Sequence, residues 1–131
     1  MNASQYPESD LTEKIIAAAI EVHRILGPGF NEDVYEEAFA HELMIRNIPF
    51  SRQKEYKISY KDIVAKTFRP DFVVDNRVIV ELKAVSELLP IFKAQILSYL
   101  KATNLQIGLL INFNVRILKD GIKRLINPNV K

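Results

Sequence analysis

The sequence predicts one α/β domain with a mixed central sheet flanked by helices. Helical periodicity fills residues 10–46, β-rich alternation fills residues 52–83, and a further helix pattern precedes an apolar run at 107–111. A length of 131 residues favours a single domain, and a hydrophobic content of 48% is enough for a core. We expect residues 1–9, which are mostly polar, to be a flexible N-terminus and residues 10–131 to form the domain.

The first part of the chain predicts two helices. Asp10-Leu11-Thr12-Glu13 has the pattern of a capping box, and the apolar positions that follow recur with a helical period until Gly27. Gly27-Pro28-Gly29 predicts a turn, after which Asn31 can cap a second helix that reaches about Arg46. Asn47-Ile48-Pro49 then ends the helical pattern.

The middle of the chain predicts strands. Tyr56, Ile58 and Tyr60 alternate with polar residues, and Lys61-Asp62 predicts a hairpin turn. We expect the second strand to run continuously over residues 63–74. A turn at Asp75-Asn76 then leads to a third strand over residues 78–83.

The remainder predicts one helix and a buried strand. Residues 88–103 have a helical pattern with Pro90 in the first turn, and residues 107–111 are continuously apolar. Residues 117–118 and 122–126 predict a small terminal hairpin around Asp120-Gly121. The predicted order is therefore α-α-β-β-β-α-β with a short β tail.

Composition excludes several classes of protein. The chain has no cysteine, so it has no disulfide framework, thiolate metal site or iron–sulfur cluster. No apolar run approaches 18 residues and the N-terminus has no signal-peptide core, so we expect no membrane span and a cytoplasmic location.

The charge is unevenly distributed along the chain. Residues 1–50 hold 9 acidic and 3 basic residues, whereas residues 51–131 hold 7 acidic and 15 basic ones. A basic second half suits a polyanionic partner such as nucleic acid, although a solvated surface would have the same composition.

Three charged residues lie inside the β-rich segments. Asp71 begins one segment, and Glu81 and Lys83 end another. Two carboxylates can bind a hard cation, Mg²⁺ or Mn²⁺, with the Leu82 carbonyl within reach, and an ammonium beside them can stabilise a reacting phosphate. This set predicts phosphodiester hydrolysis, and the alternative is a surface Glu-x-Lys pair with an unrelated Asp.

The length of the turn decides whether these side chains meet. A two-residue loop at Asp75-Asn76 would put Asp71 and Glu81 on opposite faces of the sheet. A three-residue loop over 74–76, with Asn76 in the left-handed conformation, would pair Asp71 with Ile79 and put both carboxylates on one face. We therefore predict the three-residue loop, with the other face filled by Phe72, Val74, Val78, Val80 and Leu82.

Three polar residues are weaker candidates. Gln95 and Tyr99 are four residues apart, so they share one face of a helix that follows the Glu-x-Lys strand. Glu32 could add a third carboxylate, directly or through water. Ordinary surface positions on the helix, and an acidic residue that complements a helix N-terminus, are the alternatives.

These residues carry a resemblance to a known family. Pro70-Asp71 with Glu81-Leu82-Lys83 resembles the signature of the PD-(D/E)xK nucleases, whose restriction-endonuclease-like core has the order α-β-β-β-α-β. Gln95-x-x-x-Tyr99 resembles a motif of the RecB-type branch, and Gly29 to Tyr35 resembles the motif of the GxxExxY proteins. The resemblance implies metal binding by Asp71 and Glu81, catalysis by Lys83, and support from Glu32, Gln95 and Tyr99.

The sequence therefore predicts a nuclease that uses Mg²⁺ or Mn²⁺ and cuts DNA. The alternatives are a module that kept the fold but only binds nucleic acid or protein, and a nuclease that processes RNA. A homodimer or a partner protein could supply specificity, and Ile48, Phe50, Phe113 and Val115 are candidates for an exposed dimer surface.

Overall fold

The computed structural model describes residues 7–129, which form three α-helices, seven strands and one turn of 3-10 helix. The helices are α1 (Ser9–Leu26), α2 (Glu32–Ile45) and α3 (Pro90–Thr103), and the 3-10 turn is Leu118–Gly121. The strands are β1 (Phe50–Arg52), β2 (Tyr56–Tyr60), β3 (Ile63–Phe68), β4 (Phe72–Val74), β5 (Val78–Lys83), β6 (Ile107–Asn112) and β7 (Ile122–Ile126).

Five strands form the central sheet, in the order β1-β4-β5-β6-β7. β5 and β6 are parallel and the other neighbours are antiparallel, which confirms the predicted mixed sheet. A parallel pair needs a crossover connection, and α3 supplies it between β5 and β6. β2 and β3 stand apart as a separate two-stranded hairpin.

The two faces of the sheet pack against different helices. One face belongs to a core cluster that includes the buried side chains of α1 and α2, and the other belongs to a cluster with Ile96 and Leu100 of α3. Alternation along β4 and β5 assigns the side chains to the two faces. The apolar face predicted from the sequence is confirmed, because the α1–α2 cluster contains Phe72, Val74, Val78, Val80 and Leu82.

The helix ends differ in part from the prediction. Gly27 ends α1 at a φ of 69°, and its N–H donates to the His23 carbonyl at 2.8 Å. The predicted capping box at Asp10 is wrong, because α1 already begins at Ser9 and the Asp10 carboxylate instead pairs with Arg77 at 3.0 Å. Asn31 precedes α2 as expected, but its side chain makes no capping hydrogen bond.

The predicted continuous strand over 63–74 is wrong. Pro70 has no N–H to donate to a ladder, and the chain divides there into β3, which pairs with β2, and β4, which pairs with β1 and β5. β1 was not predicted, since a strand of three residues is too short to show periodicity.

The C-terminal part also differs. Residues 118–121 form the 3-10 turn, so the predicted terminal hairpin does not form. β7 instead pairs antiparallel with β6 and extends the central sheet. The chain therefore turns at Asp120-Gly121 as predicted, but β7 pairs with β6 and not with residues 117–118.

The turn between β4 and β5 has three loop residues, as predicted, but lies one residue further along the chain. Asp75 and Asn76 both have positive φ, at 52° and 54°, and the Arg77 N–H donates to the Val74 carbonyl at 2.9 Å. The register pairs Phe72 with Val80, so Asp71 lies directly opposite Glu81 rather than opposite Ile79. The prediction of a shared face is unaffected by this shift.

The first helix begins at Ser9, one residue before the predicted start of the domain. Residues 1–6 of the predicted flexible segment lie outside the described residues. Ser9 belongs to α1, and the Glu8 carboxylate accepts a hydrogen bond from Arg77 Nε at 3.0 Å. The division into a flexible segment 1–9 and a domain 10–131 stays a prediction.

The candidate dimer surface is not exposed. Ile48 and Phe113 are buried in the core, and Phe50 and Val115 pack against it. These four residues therefore stabilise the fold of the single chain. None of the helices in residues 7–129 is long and apolar enough to cross a membrane.

Candidate active site

Two carboxylates meet near the end of β5, on the face of the sheet that packs against α3. The Asp71 N–H donates to Glu81 Oε2 at 3.1 Å, and Asp71 Oδ2 accepts the Leu82 N–H at 2.9 Å. Pro70 interrupts the backbone hydrogen-bond ladder, and Asp71 follows it just before β4 begins. From this position the Asp71 side chain can turn toward β5. The two carboxyl groups are consequently held in contact by backbone hydrogen bonds.

Glu81 is buried, with 7% of its surface exposed. Burial, followed by the hydrogen bond and the negative charge of Asp71, raises the pKa of the Glu81 carboxyl to about 9. Lys83 opposes this shift, but its effect is smaller. A buried carboxylate beside a second one is unfavourable unless a proton or a cation lies between them.

Lys83 lies two residues after Glu81 and therefore points to the same face of β5. Its Nζ lies 4.7 Å from the centre of the Phe92 ring in the first turn of α3. Within residues 7–129 Lys83 is in no direct ion pair. Its ammonium is thus supported by an aromatic ring but not neutralised by a bonded carboxylate.

Glu32, the first residue of α2, also lies near Asp71 and Lys83. Burial raises the pKa of its carboxyl; Lys83 lowers it and Asp71 raises it, so both groups are close enough to interact with Glu32. Among residues 7–129 no group of three or more His, Cys, Asp or Glu side chains has metal-ligand geometry. Glu32 nevertheless lies within electrostatic reach of Asp71 and Lys83.

Tyr35 explains why Glu32 is placed there. Its buried hydroxyl donates to the Gly27 carbonyl at 2.6 Å and accepts the Phe30 N–H at 3.2 Å. Its ring stacks on Phe113 at 4.6 Å between centroids. The turn between α1 and α2 is thereby fixed to the core, and the first residue of α2 is fixed with it.

Gln95 and Tyr99 lie on one face of α3, as their spacing predicts. Burial raises the pKa of the Tyr99 hydroxyl, the charges of Glu81 and Asp71 raise it further, and Gln95 lowers it. Tyr99 therefore lies within electrostatic reach of both carboxylates. Gln95 is exposed and lies one helical turn before Tyr99.

Two neighbours of the site were not predicted. Gln53 donates from Nε2 to Asp71 Oδ1 at 3.4 Å, and its N–H donates to the Pro70 and Asp71 carbonyls. Gln53 has a φ of 55°, which is uncommon for a residue other than glycine and is typical of constrained sites. Its position 18 residues before Asp71 left no periodic signal that could reveal the contact.

Asn112 is the second such neighbour. It is the partner of Lys83 in the parallel ladder, and its side chain both accepts from the Val85 N–H at 3.0 Å and donates to the Val85 carbonyl at 2.9 Å. This buried amide fixes the segment that follows Lys83. The available signal in the sequence was that Asn112 is a polar residue at the end of an apolar strand, as Lys83 is at the end of β5.

The donor set fits a hard divalent cation. Asp71 and Glu81 offer carboxylate oxygens in contact, which is the chemistry that Mg²⁺ and Mn²⁺ prefer. The Leu82 N–H faces Asp71, and the N–H and C=O of one residue in an extended strand point to the same side. The Leu82 carbonyl therefore points toward the same space as the two carboxylates.

Comparison with known proteins agrees with this geometry. A sequence profile of the PD-(D/E)XK nuclease superfamily matches residues 9–125. The chain therefore belongs to the PD-(D/E)XK nuclease superfamily, whose members generally use divalent metals. No curated protein matches the sequence.

Two solved structures have a similar fold. An alkaline exonuclease (LHK-Exo) from Laribacter hongkongensis has a TM-score of 0.54 and 13% sequence identity, with 97% of this chain and 74% of the exonuclease covered. The crystal structure of SSO0001 has a TM-score of 0.51 and 20% identity, with 96% of this chain and 61% of that one covered. At these identities both likenesses show the fold alone, and they confirm the α/β architecture predicted from the sequence.

Proposed function

We propose that this protein is a divalent-metal-dependent nuclease that hydrolyses phosphodiester bonds in DNA. The observation that carries the proposal is the contact between the Asp71 and Glu81 carboxyl groups, with Lys83 on the same face of β5. Two ionised carboxylates buried together destabilise a fold that holds no cation, so their presence beside an ammonium is explained best by chemistry.

Asp71 and Glu81 would hold the cation, with the Leu82 carbonyl as a third oxygen and Glu32 acting through water. A bound Mg²⁺ or Mn²⁺ supplies Lewis-acid polarisation of a phosphate oxygen and lowers the pKa of its water. The hydrogen bonds from Leu82 N–H and Gln53 Nε2 fix the Asp71 oxygens before any ligand arrives. This preorganisation reduces the reorganisation needed to bind a cation.

Lys83 would act on the phosphate. Its ammonium lies beside the carboxylate pair and can stabilise the negative charge that develops on the phosphoryl oxygens, or orient the attacking water. Gln95 and Tyr99 would donate hydrogen bonds to a phosphate oxygen or to water at the rim of the site. Lys83, Asp71 and Glu81 are thus assigned to catalysis, and Glu32, Gln95 and Tyr99 to its support.

DNA is the substrate we propose, because the chain is basic over residues 51–131, where most of the site lies, and backbone phosphates attract such a surface. The alkaline exonuclease, a protein of similar fold, is by its name a nuclease, which supports this proposal. Within the superfamily we place the chain among the GxxExxY proteins, with a RecB-type Gln95-x-x-x-Tyr99 motif. A cytoplasmic location and a homodimer or partner protein stay predictions of the sequence.

The test is cleavage of single-stranded, duplex, nicked and branched DNA and of RNA, each with Mg²⁺, with Mn²⁺ and with EDTA. We expect metal-dependent cutting of DNA that is lost in Asp71→Asn and kept in Asp120→Asn, a matched change at an exposed aspartate in the 3-10 turn. Preferential cutting of RNA would assign an RNA-processing nuclease. Binding without cutting by the wild type on every substrate would contradict catalysis and support a binding module.

A further inference from the structure

The β2–β3 hairpin carries an exposed surface that the proposed catalytic residues do not use. It pairs with no strand of the central sheet, and most of its residues are exposed. Three large apolar side chains at its tip are open to solvent: Tyr60 is 62% exposed, Ile63 59% and Val64 50%. A cluster of this kind at the end of a projecting element is typical of a binding surface.

One face of the hairpin, which we call the tyrosine face, carries a row of side chains that are covered at one end and exposed at the other. Strand register and alternation place on this tyrosine face the residues Tyr56, Ile58, Tyr60, Ile63, Lys66 and Phe68. The inner end is covered, because Phe68 stacks on Tyr99 of α3 at 4.3 Å and on Tyr56 at 5.7 Å. The outer end, Tyr60 with Ile63, extends beyond this stack into solvent.

The row is flanked by positive charge. Lys54 Nζ lies 5.6 Å from the Tyr56 ring and Lys61 Nζ lies 5.4 Å from the Tyr60 ring, and Lys66 stands on the face itself. None of these three lysines is in an ion pair within residues 7–129, whereas Glu55 is occupied by Arg69 at 3.1 Å. Lysines without an ion-pair partner beside a row that ends in an exposed aromatic ring match a chain of phosphates and bases.

The inner end of the tyrosine face lies close to the carboxylate pair. Tyr99, at the inner end of the stack, is close enough to Glu81 and Asp71 to be affected by their charges. From Tyr60 back to Tyr56 the strand spans about 13 Å, at about 3.3 Å per residue. The covered inner end of the tyrosine face therefore lies beside the candidate site, and the outer end is the part open to a ligand.

We propose that the tyrosine face binds an unpaired stretch of the nucleic acid substrate, with a base stacked on Tyr60 and the backbone held by Lys54, Lys61 and Lys66. This inference rests on the proposed nuclease function and names its substrate class. Stacking explains the exposed ring, and phosphate binding explains the unpaired lysines. A duplex keeps its bases stacked inside and offers the ring no free face, so the surface selects single strands.

The experiment measures binding of a labelled oligothymidylate of about 12 nucleotides to the whole chain in EDTA, so that cleavage plays no part. We expect Tyr60→Ala to weaken binding by about 5- to 150-fold, the range for loss of one stacked base, and Tyr60→Phe to retain it. Ile25→Ala, at an equally exposed apolar position on α1, is the control that should change nothing.

A second measurement tests the lysines. For single strands each phosphate contact contributes about 0.7 to the slope of log affinity against log salt. Replacing Lys61 and Lys66 by Gln should reduce the slope by about 1.4, whereas replacing Lys14 and Lys119 should leave it unchanged.

Equal binding by Tyr60→Ala and wild type would overturn the proposal, as would tighter binding of a blunt duplex that ignores Tyr60. Self-association lost on Tyr60→Ala, without an effect on oligonucleotide binding, would assign the tip to a second copy of the chain and also overturn it. The nuclease proposal is judged separately, since it fails only if cleavage is absent when metal is added.

Discussion

At the scale of single residues, Glu81 decides how the site responds to its surroundings. The fold buries this carboxyl and puts a second one against it, so the protonated form is favoured in the absence of a cation. The same oxygens that take a proton would take a metal ion. Proton binding, metal binding and stability are consequently linked at one residue.

The first prediction concerns stability against pH in EDTA. The folded pKa of Glu81 is raised above the value of 4.5 for an unperturbed carboxyl, so its contribution is fully present below that pH and is lost as pH rises toward the folded value of about 9. We expect Tm to fall by about 5 °C or more across this window. Thermal unfolding of wild type and Glu81→Gln checks it: the variant should lose the fall, and Glu13→Gln on α1 should keep it.

The second prediction concerns Lys83. Lys83→Ala should lower the cleavage rate by about 100-fold or more, since an electrostatic group at the reacting phosphate is removed, while Tm changes little. Lys93→Ala, on the exposed side of α3, is the control. Circular dichroism and melting accompany the assay, and an unfolded Lys83→Ala protein would show that the residue is structural instead.

The third prediction ranks the carboxylates. Calorimetric titration with Mn²⁺ should show a smaller loss of affinity for Glu32→Gln than for Asp71→Asn, because Asp71 contacts Glu81 directly and Glu32 is outside that pair. An equal or larger loss for Glu32→Gln would make Glu32 a direct ligand.

At the scale of secondary-structure elements, the placement of α3 against the sheet matters most for the site. α3 connects the parallel strands β5 and β6 and carries Gln95 and Tyr99 on the face that meets the carboxylates. Gly108 in β6 permits close packing there, because a Cβ at this position would lie 2.7 Å from Ile96 Cγ2.

The fourth prediction follows from this contact. Gly108→Ala should destabilise the protein by about 1–3 kcal/mol through overpacking. Urea unfolding measures the change, and Ser98→Ala on the exposed side of α3 is the comparison. If the clash with Ile96 is the cause, Gly108→Ala and Ile96→Ala will be non-additive; additive effects would contradict it.

Elements with a strong period were predictable from the sequence, and elements set by long-range pairing were not. The alternation from Phe72 to Leu82 assigned the core face, and the Glu81-x-Lys83 spacing assigned the site face. β1 pairs with β4 across the whole β2–β3 hairpin, and β7 pairs with β6 across the 3-10 turn instead of with the residues next to the turn. The contact of Gln53 with Asp71 depends on where β1 ends, so the sequence offered no local signal for it.

At the scale of the whole molecule, the charge asymmetry along the chain becomes an asymmetry across the sheet. α1 and α2, which come from the acidic first part of the sequence, cover one face. α3 and the hairpin come from the basic part and lie on the other side, together with the carboxylate pair. A polyanion is therefore attracted to the side where the site opens.

The fifth prediction is a salt effect on cleavage that arises from this arrangement. Raising the salt concentration should raise KM for single-stranded DNA with a linear dependence of log KM on log salt, while kcat changes little, because screening weakens phosphate contacts more than chemistry at the buried pair. Initial rates over a range of KCl concentrations measure both constants. A salt-independent KM would show that the basic side does not bind the substrate.

The division of one β-rich run at Pro70 has a thermodynamic consequence. Both connections between the hairpin and the central sheet involve Asp71. The segment from β3 to β4 contains it, and the segment from β1 to β2 contains Gln53, which hydrogen-bonds to it. Any ligand that changes the tilt of the hairpin would move a carboxylate as well. Linkage is reciprocal, so a nucleic acid that alters cation affinity by some factor must have its own affinity altered by the cation by the same factor.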